Sequence, residues 1–504
     1  METLLAMTDG FAVAFLPINL LYCFIGVFLG TLIGVLPGLG PVAAMALLLP
    51  VTFHIPPIGA IIMFAGIYYG AMYGGSTTAI LVNIPGEASS VMTCRDGYQM
   101  ARQGRAGSAL GICAIASFVA GTLSIVGLSF VALPLANIAL RFGYPEYFAL
   151  MCVGVTLVVY LGSSSVSKAL IMAFLGLFLS TVGMDLFTGR PRFVFGQNEL
   201  LDGLDLTPII IGLFGISEVL RNIVEKPERQ IISTKLSNLL PTREDWRTSW
   251  KPTLRGSALG FLLGILPGGG AIVSSFAAYS IEKKLADDPD RFGQGAIEGV
   301  AAPEAANNAA TGGAFVPLMT LGIPSNVVMA VIMGTLLLHG ITPGPLLVKE
   351  HPDLFWGVIT SMYIGNIMLL ILNLPLIGIW VQVLHVPYRI LFPLILLFCA
   401  IGTYSVSSSL FDVNVMLAFG VLGYLMGRYG FDGAPLILCF VIGPIMEETL
   451  RQSLLLSNGS FAIFFTRPIA ATALAVCAAV VLTALFPVLR RLRDRIGEAS
   501  EEEA

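Results

Sequence analysis

Apolar residues run through this chain in stretches of roughly 15 to 30, too long for the alternation of a strand and apolar on every side of a helical turn, with short polar segments between them. Such stretches meet the requirement of about 20 residues for crossing a bilayer as a helix. Spans fall near 11–53, 58–85, 108–133, 146–162, 167–184 and 206–220. Beyond a polar interval they resume near 256–281, 293–326, 327–342, 356–380, 389–405, 412–427, 433–447 and 469–488. The pattern predicts an all-α polytopic membrane protein with about 11–14 membrane segments.

Two runs are interrupted in the same way. Gly34-Val35-Leu36-Pro37-Gly38-Leu39-Gly40-Pro41 shares its Gly, Leu, Pro, Gly and Gly with Gly264-Ile265-Leu266-Pro267-Gly268-Gly269-Gly270. Pro and Gly open a helix and free backbone polar groups, which hydrocarbon tolerates only where protein or a water-filled cavity satisfies them. About a dozen residues on either side of the second break are too few for two crossings at about 1.5 Å per residue, so a re-entrant hairpin is expected rather than a bent span. A second pair of breaks follows. Asn83-Ile84-Pro85-Gly86 corresponds to Gly322-Ile323-Pro324-Ser325, and Tyr73-Gly74-Gly75-Ser76 to Thr311-Gly312-Gly313-Ala314, an alignment that needs one inserted residue between the two matches.

The likeness continues through Leu170–Asp185 with Met416–Asp432, and Glu218–Arg221 with Glu448–Arg451. The chain divides into a first membrane repeat (1–220), a basic linker (221–255), a second repeat (256–468) and an extra helix with a charged tail (469–504). Basic residues set orientation. Arg95, Arg102 and Arg105 follow the first Ile-Pro break, whereas its counterpart, Pro343–Asp353, holds Lys349 against Glu350 and Asp353. By the positive-inside rule the first loop and the linker are cytoplasmic, corresponding loops face opposite sides, and the Arg490–Arg495 tail is cytoplasmic. Two inverted-topology repeats are expected, each presenting its break to the same midplane layer, a pointer to a transporter's binding site.

Composition narrows the classes. Of 504 residues, 56% are hydrophobic and 12% charged, and the net charge of −4 gives no global basic field for nucleic acid. Met1-Glu2-Thr3 lacks the basic start of a signal peptide, so the first apolar run is expected to be retained. Seven scattered cysteines and four unrelated histidines have no metal or redox spacing, and no nucleophile–base pair marks an intramembrane enzyme.

Chemistry is expected at the breaks. Gly38, Gly40, Ser76, Thr77, Thr78 and Asn83 in the first half, and Gly268, Gly270, Ser274, Ser275, Asn307, Asn308, Thr311, Ser325 and Asn326 in the second, supply small hydroxyl, amide and backbone groups. Helix N-termini with free N–H groups suit a carboxylate. Freed carbonyls near Pro37, Gly38, Pro267, Gly268 and Gly322 suit sodium. Glu298 and Glu304 are the acids nearest the second break and are candidate proton or cation carboxylates, though Pro303-Glu304 reads equally as a helix start. Glu87 reads as a loop or capping residue. No Lys or Arg falls within the breaks, which leaves an anion to dipoles, hydroxyls and a co-bound cation.

Gly70–Glu87, Asp96-Gly97-Tyr98-Gln99-Met100-Ala101-Arg102, Leu266-Pro267-Gly268, and Pro303-Glu304-Ala305-Ala306-Asn307-Asn308 through Leu321-Gly322-Ile323-Pro324 resemble the large membrane subunit of the tripartite tricarboxylate transporters, over essentially the whole chain. The resemblance implies a multi-pass protein of the bacterial inner membrane. It implies uptake of a di- or tricarboxylate, citrate-like, by symport with sodium or protons and without a resident cofactor. It also implies a small four-helix membrane subunit and a periplasmic solute-binding protein as partners. Ser325-Asn326 departs from the glycine often found there, which puts citrate itself in doubt. The rival reading is a cation/proton antiporter using Glu298 or Glu304 and no organic anion.

Overall fold

The computed structural model describes residues 2–36, 40–161, 165–185, 187–224, 239–383 and 388–485. Pro37 and Gly38 of the first break, linker residues 225–238 and the Arg490–Arg495 tail lie outside the described residues.

Helices dominate. The first half comprises α1 (Glu2–Ala14), α2 (Pro17–Val35), α3 (Pro41–Thr52), α4 (Pro57–Val82), α5 (Val91–Arg102), α6 (Ala106–Ala139), α7 (Tyr144–Leu161), α8 (Val166–Leu179), α9 (Leu206–Ile210) and, after a π-helical stretch at Ile211–Ile216, α10 (Ser217–Val224). The second comprises α11 (Arg243–Ile265), α12 (Gly270–Leu285), α13 (Glu298–Leu321), α14 (Val327–Leu338), α15 (Leu347–Glu350), α16 (Pro352–Asn373), α17 (Ile377–Val383), α18 (Tyr388–Ser407), α19 (Leu410–Arg428) and α20 (Ala434–Leu456). Two more, α21 (Ile463–Thr466) and α22 (Pro468–Leu485), follow, with α22 against α7. Among the described residues five helices are long and apolar enough to cross a membrane: α2, α4, α6, α16 and α19. Among the described residues one strand pair, β1 (Gly183–Met184) with β2 (Pro191–Arg192), forms an antiparallel hairpin between α8 and α9.

Proline opens α2, α3 and α4, where the missing N–H has no helical partner to lose. The end of the expected basic linker, with Trp246 and Trp250, forms the first turns of α11. Thr242 caps that helix, its hydroxyl accepting from the Asp245 amide and the Asp245 carboxylate from the Thr242 amide.

Glycine sets how the core is built. Gly26, Gly30 and Gly34 of α2 lie against the backbone of Met63, Ile67 and Ala71 of α4, where a methyl group would collide with carbonyl oxygens. Gly256, Gly260 and Gly264 of α11 lie the same way against Ala302, Ala306 and Ala310 of α13. Small residues four apart let backbones touch, the usual means of joining membrane helices. The order of contacts makes each pair parallel, so the intervening helix, α3 or α12, runs back as the second leg of a hairpin. In the second hairpin Arg255 on α11 grips Glu282 on α12 at 2.5 and 2.6 Å.

The two ends of that hairpin lie beside α5 and the loop that follows it. Arg105 pairs with Asp245 at 2.5 Å, and the amides of Gly293, Gly295 and Ala296 donate to Asp96 Oδ1 at 2.8 Å. Entry and exit share one face, as a hairpin requires and a single bent span forbids.

The packing also corrects the alignment. Gly74 meets the Thr31 carbonyl and Gly313 the Phe261 carbonyl, so Gly313, not Gly312, occupies the place of Gly74. The same offset pairs Asn83 with Gly322, the left-handed C-caps of α4 and α13 at φ 57° and 70°. No residue is inserted, because each helix runs unbroken between those points.

Helix directions follow from contacts in three helix pairs. On α16 and α4, Gly357 meets Ile58 and Gly365 meets Tyr69, a parallel pair. On α13 and α6, Asn308 bonds Ser117 and Gly312 meets Ser124, again parallel. Between α16 and α6, Tyr363 meets Ser129 at 3.3 Å and Asn366 meets Thr122 at 3.0 Å, an antiparallel pair. Therefore α4 and α13 run in opposite directions. Both are buried along almost their whole length, whereas α8 and α19 turn Phe174, Phe178, Leu417 and Val421 outward.

Candidate substrate cavity at the helix breaks

Two cavities adjoin where the helices are interrupted. The first, about 460 Å³, is bordered by Gly40–Ala43 at the start of α3, by Pro85–Ala88 after α4, and by Ser217, Glu218 and Arg221 of α10. The second, about 520 Å³, is bordered by Gly268–Val273 at the start of α12, by Ser325–Val328 at the start of α14, and by Tyr68 and Met72 of α4. Glu87, Val328 and Asp432 line both. Each cavity thus takes one break from the Leu-Pro-Gly family and one from the Ile-Pro family.

Backbone conformation aims the N-termini. Gly268 has φ +79°, and a side chain there would press on the Leu157 carbonyl, so only glycine fits. Its amide donates to the Ser325 carbonyl at 3.0 Å, tying the two second-half breaks together. Asn326 caps α14, its Oδ1 accepting from the Met329 amide at 3.0 Å and its Nδ2 donating to the Tyr68 hydroxyl at 3.1 Å. Positive helix ends at α3, α12 and α14 therefore border the space, an arrangement suited to an anion. A basic group is also present: Arg221, 3.6 Å from Glu218, supplies from α10 the cation absent from the breaks. Two further carboxylates, Glu87 and Asp432, stand in the shared wall. Glu87 caps the short turn Ala88–Ser90, its Oε2 accepting from the Ser89 amide at 2.9 Å and the Ser89 hydroxyl at 2.5 Å.

The expected residues are divided among several places in the fold. Gly40, Gly268, Gly270, Ser325 and Asn326 line the cavities; Gly38 and Pro37 lie outside the described residues. Asn83 lines neither and serves as the left-handed cap of α4, a conformation asparagine tolerates. Gly322 does the same for α13, packed on the Pro343 carbonyl. Ser76, Thr77 and Thr78 are buried inside α4, with Thr78 Oγ1 donating to the Val35 carbonyl at 2.8 Å. Ser274 Oγ donates to the Gly270 carbonyl and Ser275 Oγ to the Ser89 carbonyl, both at 2.7 Å. Glu298 starts α13 and pairs with Arg291 at 3.4 Å, away from either cavity.

Glu304, Asn307, Asn308 and Thr311 gather elsewhere, on the face of α13 toward α5 and α6. Thr93 Oγ1 donates to Glu304 Oε1, and Ser76 and Cys113 lie against the same carboxylate. Asn308 Nδ2 donates to Ser117 Oγ at 2.8 Å, the Glu304 carbonyl at 2.9 Å and Asn307 Oδ1 at 2.5 Å. Contrary to a helix-start reading, Glu304 sits past the first turn of α13 and is fully buried. Sequence reasoning missed Tyr68, Arg221 and Asp432, which arrive from elements remote from the breaks.

A family model described as "Tripartite tricarboxylate transporter TctA family" matches residues 20–438. Two proteins of Agrobacterium vitis are similar. One, named "Uncharacterized 52.8 kDa protein in TAR-I ttuC' 3'region", is 52% identical over 496 residues, covering 98% of this chain and 99% of its own. The other, "Uncharacterized protein in TAR-II ttuC' 3'region", is 53% identical over 237 residues, 47% of this chain and 98% of its own. No solved structure gives a significant match. With the match spanning most of the chain, this protein belongs to the tripartite tricarboxylate transporter TctA family.

Proposed function

We propose that the protein is the large membrane subunit of a secondary transporter that takes up a di- or tricarboxylate by cation symport across the bacterial inner membrane. The carboxylate binds in the twin cavity, between the N-termini of α3, α12 and α14, with Arg221 as its cationic partner. The carrying observation is that breaks from both halves border adjoining cavities that share Glu87, Val328 and Asp432. The opposite directions of α4 and α13, with their matching glycine triplets, support two inverted-topology repeats, an architecture that exposes one midplane site alternately to each side. Glu87 and Asp432 beside an anionic substrate favour co-transport of cations, since like charges in one confined space repel. A small four-helix membrane subunit and a periplasmic binding protein complete the system, the latter delivering the substrate.

The test is counterflow of labelled citrate and shorter dicarboxylates in proteoliposomes holding the protein with its small subunit and binding protein. Sodium- or proton-dependent exchange is expected. Cation exchange without carboxylate movement would replace this reading by an antiporter.

A further inference from the structure

Three polar atoms of the α13 cluster are buried without a hydrogen-bond partner: Glu304 Oε2, Asn308 Oδ1 and Asn307 Nδ2. Glu304 is 0% and Asn308 1% exposed, and no Lys or Arg among the described residues forms a salt bridge with Glu304. A buried, unpaired carboxylate is costly unless a proton or cation neutralises it. Either a proton on Glu304 Oε2 donated to Asn308 Oδ1 or a cation bound to both would satisfy these oxygens, which come from residues one helical turn apart on α13. The hydroxyl oxygens of Ser76 and Ser117 beside this pair offer a cation two further ligands that a shared proton would not use. All-oxygen ligation fits a hard ion, and one carboxylate balances a single charge.

The two halves supply a control. In the register set by glycine packing, Glu304, Asn307 and Asn308 correspond to Ala65, Tyr68 and Tyr69 of α4. Parallel packing of the same kind is achieved there without the acid, so helix joining does not explain the cluster. We propose that Glu304 and Asn308 of α13, with Ser76 of α4 and Ser117 of α6, form a binding site for one Na⁺ that has no counterpart built on α4 and is separate from the twin cavity. The site stands on its own geometry. Only its role as the coupling site rests on the transport reading above.

The experiment measures apparent Tm of the purified full-length protein, without carboxylate, as Na⁺ replaces choline or K⁺ at constant ionic strength and pH. A ligand that binds the folded state raises Tm with its concentration. A Na⁺-specific rise is expected. It should be lost in Glu304→Gln, need about tenfold more Na⁺ or more in Asn308→Ala, and persist in Glu298→Gln. If Glu304→Gln does not fold, Asn308→Ala and Ser117→Ala carry the test. No Na⁺-specific shift in the unaltered protein, stabilisation by acid in its place, or a shift unchanged in Asn308→Ala overturns the proposal. Absence of carboxylate counterflow alone would refute the transport reading and leave the ion site standing.

Discussion

Single residues carry different burdens from those their types imply. Asn83 reads as a ligand in sequence because an amide beside Ile-Pro looks available; its φ of 57° makes it a helix terminator. Asn83→Gly should therefore keep near-normal uptake, whereas Asn83→Val, strained in that conformation, should lower the amount of folded protein. Equal loss of transport per folded molecule in both would restore the side chain as a ligand. Arg221 was invisible as a site residue, since nothing in Glu218–Arg221 marks it as facing a break more than a hundred residues away. Removing one charge-assisted hydrogen bond costs about 1.5–3 kcal/mol, so Arg221→Gln should weaken carboxylate half-saturation by about tenfold to a hundredfold. Unchanged half-saturation would remove Arg221 from the site.

Elements were the most legible level. Apolar runs, Pro at helix starts and Gly-Pro breaks follow from backbone chemistry that a sequence displays directly. The register between repeats was not legible, because a Gly-Gly pair aligns equally well one step either way until a carbonyl on the neighbouring helix selects one glycine. That selection is testable. Gly30→Leu or Gly260→Leu should overpack its helix pair by about 1–3 kcal/mol or more and reduce folded yield; Gly378→Ala, with open space around it, should not. Tolerance of both leucines would contradict the packing. At the β1–β2 hairpin, the amide of Phe187, then Arg451 and the Thr188 amide, hold the Asp185 carboxyl down to about 2. A lowered value means that this contribution is full above the unfolded value of about 3.9 and fades as pH falls through about 2. The stability deficit of Asp185→Asn at about pH 6 should thus survive at about pH 4 and shrink only below it. A deficit already gone at about pH 4 would refute the clamp.

The whole molecule is organised by two parallel helix pairs set head to tail, with breaks of both bordering two adjoining cavities inside an apolar body. Charge asymmetry between matching loops predicts opposite orientations for the two halves, and the opposite directions of α4 and α13 support the proposed inverted repeats. Membrane-impermeant labelling checks it: single cysteines at Gln103 and Gln294 should react from one side of the bilayer and a cysteine at His54 from the other. Labelling of all three from one side would dismantle the inverted arrangement. What no linear reading supplied was the shared wall of Glu87, Val328 and Asp432, since cavities belong to the folded surface and not to any segment. The most direct test is a cryo-electron microscopy map of the assembled transporter with a tricarboxylate bound. Ligand density against Gly40–Pro41, Gly268–Gly270 and Ser325–Asn326, with Arg221 turned toward it, is the predicted result. Density at another place, with these cavities filled by side chains, would contradict the account.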